Sequence, residues 1–186
     1  LEHRRQRQMC IRDRNINNLS VLKKAHPDKN LYFTEQWVGF PSDLYGDLRW
    51  HVRNIIIGAS RNWCKTIIEW NLASDENQEP HTKGGCRNCL GAVTVANNSV
   101  DRNTAYYAIA HVSKFVPPGS KRINSSSTSH LPNVAFLTEN NKIVLVVLND
   151  SDEEINFNIN SNEKSIHSSL TAVSYTHLRA HETLLY

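Results

Sequence analysis

The chain has 186 residues, of which 39% are hydrophobic and 21% charged, and a formal net charge of +3. This composition excludes a disordered chain, and the length suffices for one ordinary core. The small positive excess lies partly in Arg4, Arg5, Arg7, Arg12 and Arg14, without the aromatic-interleaved basic face a nucleic-acid partner requires, and no run of 18 apolar residues offers a membrane span.

Residues 1–14 show no sustained apolar period and are more densely charged than the neighbouring sequence, and residues 173–186 break from the strand pattern before them. Both ends resemble translated sequencing-adapter read-through and are set apart from the fold as non-native segments. Leu31 to Phe33 then read as a strand of a parallel sheet covered on both faces, where alternation is lost. Glu35 comes directly after it. A carboxylate in that place is either a solvated strand-end residue or a catalytic group at the mouth of an α/β barrel.

Gly39-Phe40-Pro41 is a loop, after which Ser42 is an N-cap with Asp43 in the first turn. Leu44, Leu48, Val52, Ile55 and Ile56 recur at helical spacing, so the pattern predicts one amphipathic helix over residues 43–59, with Gly58 weakening its end. Cys64 to Trp70 is a second short apolar run with β-branched residues. Strand, helix and strand make a parallel βαβ unit, and Trp70 and Asn71 then lie at the same sheet edge as Glu35.

A long loop runs from Ser74 to about Asn103, with a brief strand at residues 93–95; loops of this length in compact domains are usually functional. Cys86 and Cys89 within it have the spacing of half a zinc site, with His81 the nearest further ligand. A structural zinc needs four ligands, so no metal and no cofactor is expected, and the pair reads as a local disulfide or two loop thiols. Thr104 to Phe115 is a second helix stopped by Pro117-Pro118-Gly119, with His111 packed or partly solvated on it. The Ser/Thr-rich residues from Asn124 form a linker or exposed loop. Strands come next at residues 134–137, 143–148 and 155–159, the first two predicted to pair as a hairpin turning at Glu139–Asn141 and the last alternating strictly.

Several spaced segments together resemble the glucosylceramidases of family-30 glycoside hydrolases. They are Tyr32-Phe-Thr-Glu35-Gln, Glu69-Trp-Asn-Leu-Ala73, Gly84-Gly-Cys-Arg-Asn-Cys-Leu-Gly-Ala92, His111-Val-Ser-Lys-Phe-Val-Pro-Pro-Gly-Ser120, and Asn133-Val-Ala-Phe with Ile143-Val-Leu-Val-Val-Leu-Asn149. The resemblance runs from about Asn30 to Ile159 and touches only the C-terminal part of the family. It implies an α/β fold class: the C-terminal part of a (β/α)8 TIM barrel, its last two βα units over 15–122, followed by part of an antiparallel β-sandwich over 123–172. It further implies retaining hydrolysis of β-glucosides such as glucosylceramide, with Glu35 as nucleophile and Trp70 and Asn71 as substrate-binding residues. The family's acid/base Glu has no counterpart here, so the chain alone is expected to be inactive. Gln78-Glu79-Pro80 departs from the family's Gly-Gly-Pro turn. A secreted, periplasmic or lysosomal setting is implied. The alternatives are a β-1,6-glucanase or xylanase of the same family, or a non-catalytic carbohydrate-binding module in which Trp70 and the sandwich hold sugar.

Overall fold

The computed structural model describes residues 15–161, 164–172 and 174–181. The segment 1–14, read from the sequence as non-native, lies outside them. The first element is α1 (Asn18–Ala25), which the sequence pattern did not predict. It buries no residue of its own fully, but Ile16 and Leu19 at its start pack against the cluster of Phe33, Ile55 and Ala59. Lys23 and Lys24 in its last turn suit the negative end of the helix dipole.

Next come β1 (Leu31–Phe33), the two-residue β2 (Val38–Gly39), and α2 (Leu44–Trp50), which continues as a π-helical stretch over His51–Ala59. The expected helix is therefore present, with its cap one residue later than predicted. Asp43 is extended, and its carboxylate accepts the Tyr45 N–H at 3.2 Å. The Ser42 hydroxyl is engaged elsewhere, with Asp47 at 3.0 Å and Thr104 at 2.9 Å. The wider winding follows from burial on two sides. Val52 and Ile57 belong to one apolar cluster and Ile55 and Ala59 to another, so three consecutive isoleucines are all buried.

β3 (Cys64–Ile67) runs parallel to β1, pairing Tyr32 with Thr66 and Phe33 with Ile67. This completes the predicted strand–helix–strand unit. One expectation fails: β1 is covered on one face only, Leu31 and Phe33 being buried while Tyr32 is 57% exposed. The helix covers one side of this two-stranded sheet, and no layer among the described residues covers the other. The barrel part expected over 15–122 is not evident among the described residues, where β1 and β3 form a sheet of two strands.

The predicted long loop is more ordered than its composition suggested. It contains β4 (Ala73–Ser74), β5 (Cys89–Leu90), β6 (Val93–Ala96) and β7 (Ser99–Arg102). β6 and β7 form a hairpin through Asn97 and Asn98, both at positive φ (49° and 64°), as a two-residue turn of this hand demands. Then α3 (Thr104–Ser113) leads to β8 (Lys121–Ile123) through a turn at Gly119, whose φ of 86° favours glycine.

β9 (Asn133–Leu137) and β10 (Lys142–Leu148) form the predicted antiparallel hairpin, with Asn141 at positive φ in the turn. Val144, Val146 and Leu148 are fully buried, and Val146 and Leu148 join Leu48, Val52, Ile57 and Ala108 in one cluster with the helices. Ile143, Leu145 and Val147 face a cleft towards β11 (Ile155–Ser161). Both faces of β10 are thus covered, which explains its continuous apolar run. β11 pairs with β12 (Lys164–Leu170), a strand the sequence did not reveal.

The C-terminal segment 173–186 also departs from its reading. Its backbone over Tyr175–His181 forms β13, paired antiparallel with the whole length of β10 to give the sheet order β13-β10-β9-β8. Without it β10 would present an apolar edge with unpaired backbone groups, which recruits any extended chain in reach. Residues 182–186 lie outside the described ones.

Candidate active site

The ladder between β1 and β3 carries on past both strands. Ile68 N–H donates to the Phe33 carbonyl at 2.9 Å, Trp70 N–H donates to the Gln36 carbonyl at 2.5 Å, and Trp37 and Trp70 form a parallel bridge. Glu35 therefore sits at the same edge of the sheet as Glu69, Trp70 and Asn71. Parallel pairing makes this possible, because both strands end on one side. Glu35 is partly buried and Trp70 is 48% exposed. Asn71 is held by its carbonyl, which accepts the Ala92 N–H at 2.8 Å, while its side-chain Oδ1 is buried with no hydrogen-bond partner among the described residues.

Glu69, beside Trp70, is a residue that pattern reading missed. Its Oε1 lies 2.9 Å from His51 Nδ1, with both side chains only 4% exposed. Its Oε2 is buried with no hydrogen-bond partner among the described residues. The signal available in the sequence was weak: His51 stands four residues before Ile55 on the buried helix face, where an imidazole needs a polar partner. The pair ties the segment after β3 to the long helix.

The stretch after Glu35 is anchored from the other side. Val38 pairs with Leu90 and Gly39 with Cys89, and Phe40 N–H donates to the Asn88 carbonyl at 2.8 Å. Cys86 and Cys89 are joined in a disulfide, so their sulfurs are spent on each other. Cys64, on β3, is the free cysteine among the described residues, and burial pushes its thiol up to about 11. Gly91 fastens the loop further. Its N–H donates to Ser74 Oγ at 3.1 Å, and a Cβ there would meet Ser74 N at 2.7 Å and Val93 O at 2.8 Å.

A partly buried carboxylate and a half-exposed indole thus come from neighbouring strand ends at one edge of the sheet.

Comparison with known proteins bears on the same chemistry. Residues 119–176 match the glycosyl hydrolase family 30 beta sandwich domain. The chain is 34% identical over 112 residues to an endo-1,6-β-D-glucanase of Aspergillus fumigatus, an alignment covering 59% of this chain and 22% of that protein. It is 30% identical over 89 residues to the lysosomal acid glucosylceramidase of Mus musculus, covering 47% and 17%. Among solved structures it superposes on an endo-β1,6-glucanase with a TM-score of 0.79 and 28% identity, covering 90% of this chain and 39% of that one. The chain thus spans about a fifth of the curated relatives it matches. Glucosylceramide, the substrate the sequence placed first, is not favoured over the β-1,6-glucan named as its alternative. Over residues 119–176 the chain is thus similar to the beta sandwich domain of glycosyl hydrolase family 30.

Proposed function

We propose that the chain is the C-terminal part of a retaining glycoside hydrolase that cleaves β-1,6-linked glucan, with Glu35 as nucleophile and Trp70 and Asn71 holding the sugar. The observation that carries this reading is the extended β1–β3 ladder, which brings Glu35 and Trp70 to one sheet edge. The β-1,6 linkage is supported by the identities to endo-1,6-β-glucanases. In this reading β1, the long helix and β3 are part of a (β/α)8 barrel. The bare Tyr32 face of β1 is then the side towards the missing strands, and residues 15–122 and 123–172 are the barrel portion and the sandwich portion.

A retaining enzyme sets two carboxyl groups about 5–5.5 Å apart. Glu35 attacks the anomeric carbon as the second group protonates the departing glucosyl oxygen, giving a glucosyl ester. Water, deprotonated by that second group, then releases the sugar. The second carboxyl is assigned to the part of the parent polypeptide outside this chain. In the full-length parent, Glu35→Gln keeps the side chain's size and removes its nucleophilicity, so turnover falls by about three orders of magnitude or more. A fluorinated glucoside that traps the ester labels Glu35, located by peptide mass mapping. Retention of more than about a tenth of parental turnover, a barrier change under ~1.4 kcal/mol, overturns the assignment.

A further inference from the structure

Four tripeptides of the form Asn-x-Ser stand in the chain, beginning at Asn18, Asn97, Asn124 and Asn149. Such a triplet is an acceptor for an N-linked glycan in a eukaryotic secretory protein. The sugar is transferred while the chain is still unfolded, so the fold does not choose the acceptor; it decides which modified chains can fold and what the glycan then covers. Asn149 fails that condition. It is fully buried, and its Nδ2 donates to the carbonyls of Glu153 at 2.7 Å, Leu170 at 3.0 Å and Thr171 at 2.9 Å, so a sugar on that nitrogen would have to displace the core around it.

Asn97 meets the condition. It lies in the two-residue turn of the β6–β7 hairpin and is exposed. Ser99, the third residue of the triplet, is exposed as well, and its hydroxyl closes the turn by donating to the Ala96 carbonyl at 2.8 Å. Asn18 and Asn124 are exposed too, on a helix and in the Ser-rich loop rather than at a hairpin tip.

This hairpin has a use for a glycan. β7 is the outer strand of the sheet β4-β6-β7, and every one of its residues is exposed. Val95 pairs across the hairpin with Val100, and the two are 49% and 62% exposed. An outer strand carrying apolar residues is a template for another extended chain, and the usual protections are charge and proline. Residues 95–100 hold neither. A glycan is bulky and solubilising, and on Asn97 it would stand two residues from Val95. The Cys86–Cys89 disulfide and the similarity to fungal and mouse proteins fit a chain folded in an oxidising secretory compartment, where such transfer takes place.

We propose that Asn97 is N-glycosylated and that its glycan shields the exposed edge of the β6–β7 hairpin. In the transfer, Asn97 Nδ2 attacks C1 of the first sugar of a polyprenyl-diphosphate-linked oligosaccharide. The C–N bond forms, the bond from C1 to the phosphate oxygen breaks, the diphosphate leaves with the bonding pair, and Nδ2 gives up one proton. The site stands or falls independently of the glycosidase reading. The test is to produce the chain behind a cleavable signal peptide in a eukaryotic secretory host and to treat the secreted and the retained fractions with peptide-N-glycosidase in heavy-oxygen water, which turns each glycosylated asparagine into a labelled aspartate. Peptide mass mapping should find the label at position 97 of the secreted chain and none at position 149 there. Asn97→Gln and Ser99→Ala should each lose one glycan from the mass, and Asn98→Gln, which leaves the triplet intact, should lose none. Light scattering of the concentrated protein should rise in Asn97→Gln and fall back when Val95→Lys and Val100→Glu give the edge an opposite-charge pair. No label at Asn97 in either fraction overturns the site, as does a label confined to the retained chain while Asn97→Gln is secreted normally. Unchanged scattering in Asn97→Gln overturns the shielding.

Discussion

The two halves of the molecule are held together in different ways. From β1 to β7 the strands are two to four residues long, and three small sheets are fastened by single contacts: the His51–Glu69 pair, the disulfide, the Gly91 N–H to Ser74. From β9 onward the strands reach five to seven residues and lock in long antiparallel registers. In the first half the short pairings bring side chains from separate loops to one edge. The second half supplies the rigidity, and the long helix transmits it, because Leu48, Val52 and Ile57 share a core cluster with Val134, Phe136, Val146 and Leu148.

The strongest way to break this arrangement is at the polar clamp between the halves. Asp150, its side chain 3% exposed, receives Arg49 at 2.6 Å and also pairs with Arg53. Replacing both arginines by alanine leaves the carboxylate buried without a counter-charge, which costs about 3–5 kcal/mol. Urea unfolding should show the midpoint falling accordingly. Adding Asp150→Asn to the double variant should restore part of the loss, since the amide carries no charge to compensate.

A chemical probe then reports how dry the first half is. Cys64 packs against Phe33, Ile55 and Ala59, and burial raises its thiol to about 11 from 9.0. Only the thiolate attacks, so alkylation at pH 8 should run about a hundredfold slower than for an exposed cysteine, since each pKa unit is a tenfold change in thiolate. Peptide mass mapping separates its adduct from that of Cys10. Rapid labelling of Cys64 would show the two-stranded sheet opening freely.

Gly91 sharpens the contrast, because it acts within the first half alone. An alanine there would push against the Ser74 and Val93 backbones, at a cost of about 1–3 kcal/mol for such overpacking. Hydrogen exchange should speed up at β4, β5 and β6 while the amides of β9 and β10 keep their protection. Equal loss in both halves would mean that the loop layer and the sandwich unfold as one unit.

What the sequence disclosed divides along the same line. The helix over residues 43–59 and the β9–β10 hairpin were legible because each repeats one period over many residues. The β4–β7 segment was not, since strands of two to four residues carry too few side chains to show a period, and their pairing is set by Gly91, the disulfide and the asparagine turn. β12 was hidden for another reason: Lys164-Ser-Ile-His-Ser-Ser-Leu170 is mostly exposed and polar, and it becomes a strand by pairing with β11. At the site, Glu35, Trp70 and Asn71 were picked out from strand ends and family resemblance, and the structure places them at one edge. The partnership of Glu69 with His51 was not, because it depends on how the helix is turned over the sheet.

The smallest effect expected is at His111, on the face of α3 near the junction. Burial lowers its pKa from the ordinary 6.5, while its hydrogen bond with the Tyr107 carbonyl acts the other way. The sign depends on which state takes the proton first. As pH falls through 6.5 the unfolded chain is protonated before the folded one, so His111 contributes its full stability above 6.5 and loses it as pH drops from there through the lower folded value. His111→Gln should therefore flatten the pH dependence of the melting temperature below 6.5 and leave it unchanged at pH 8. The side chain is partly solvated, so screening keeps the difference small, within about 2 °C for a chain of this size. The test is paired thermal melts of the two proteins at steps between pH 8 and pH 5, and the variant's curve should be the flatter. A steeper curve in the variant would mean that the protonated imidazole is favoured in the fold, with the Tyr107 carbonyl outweighing burial.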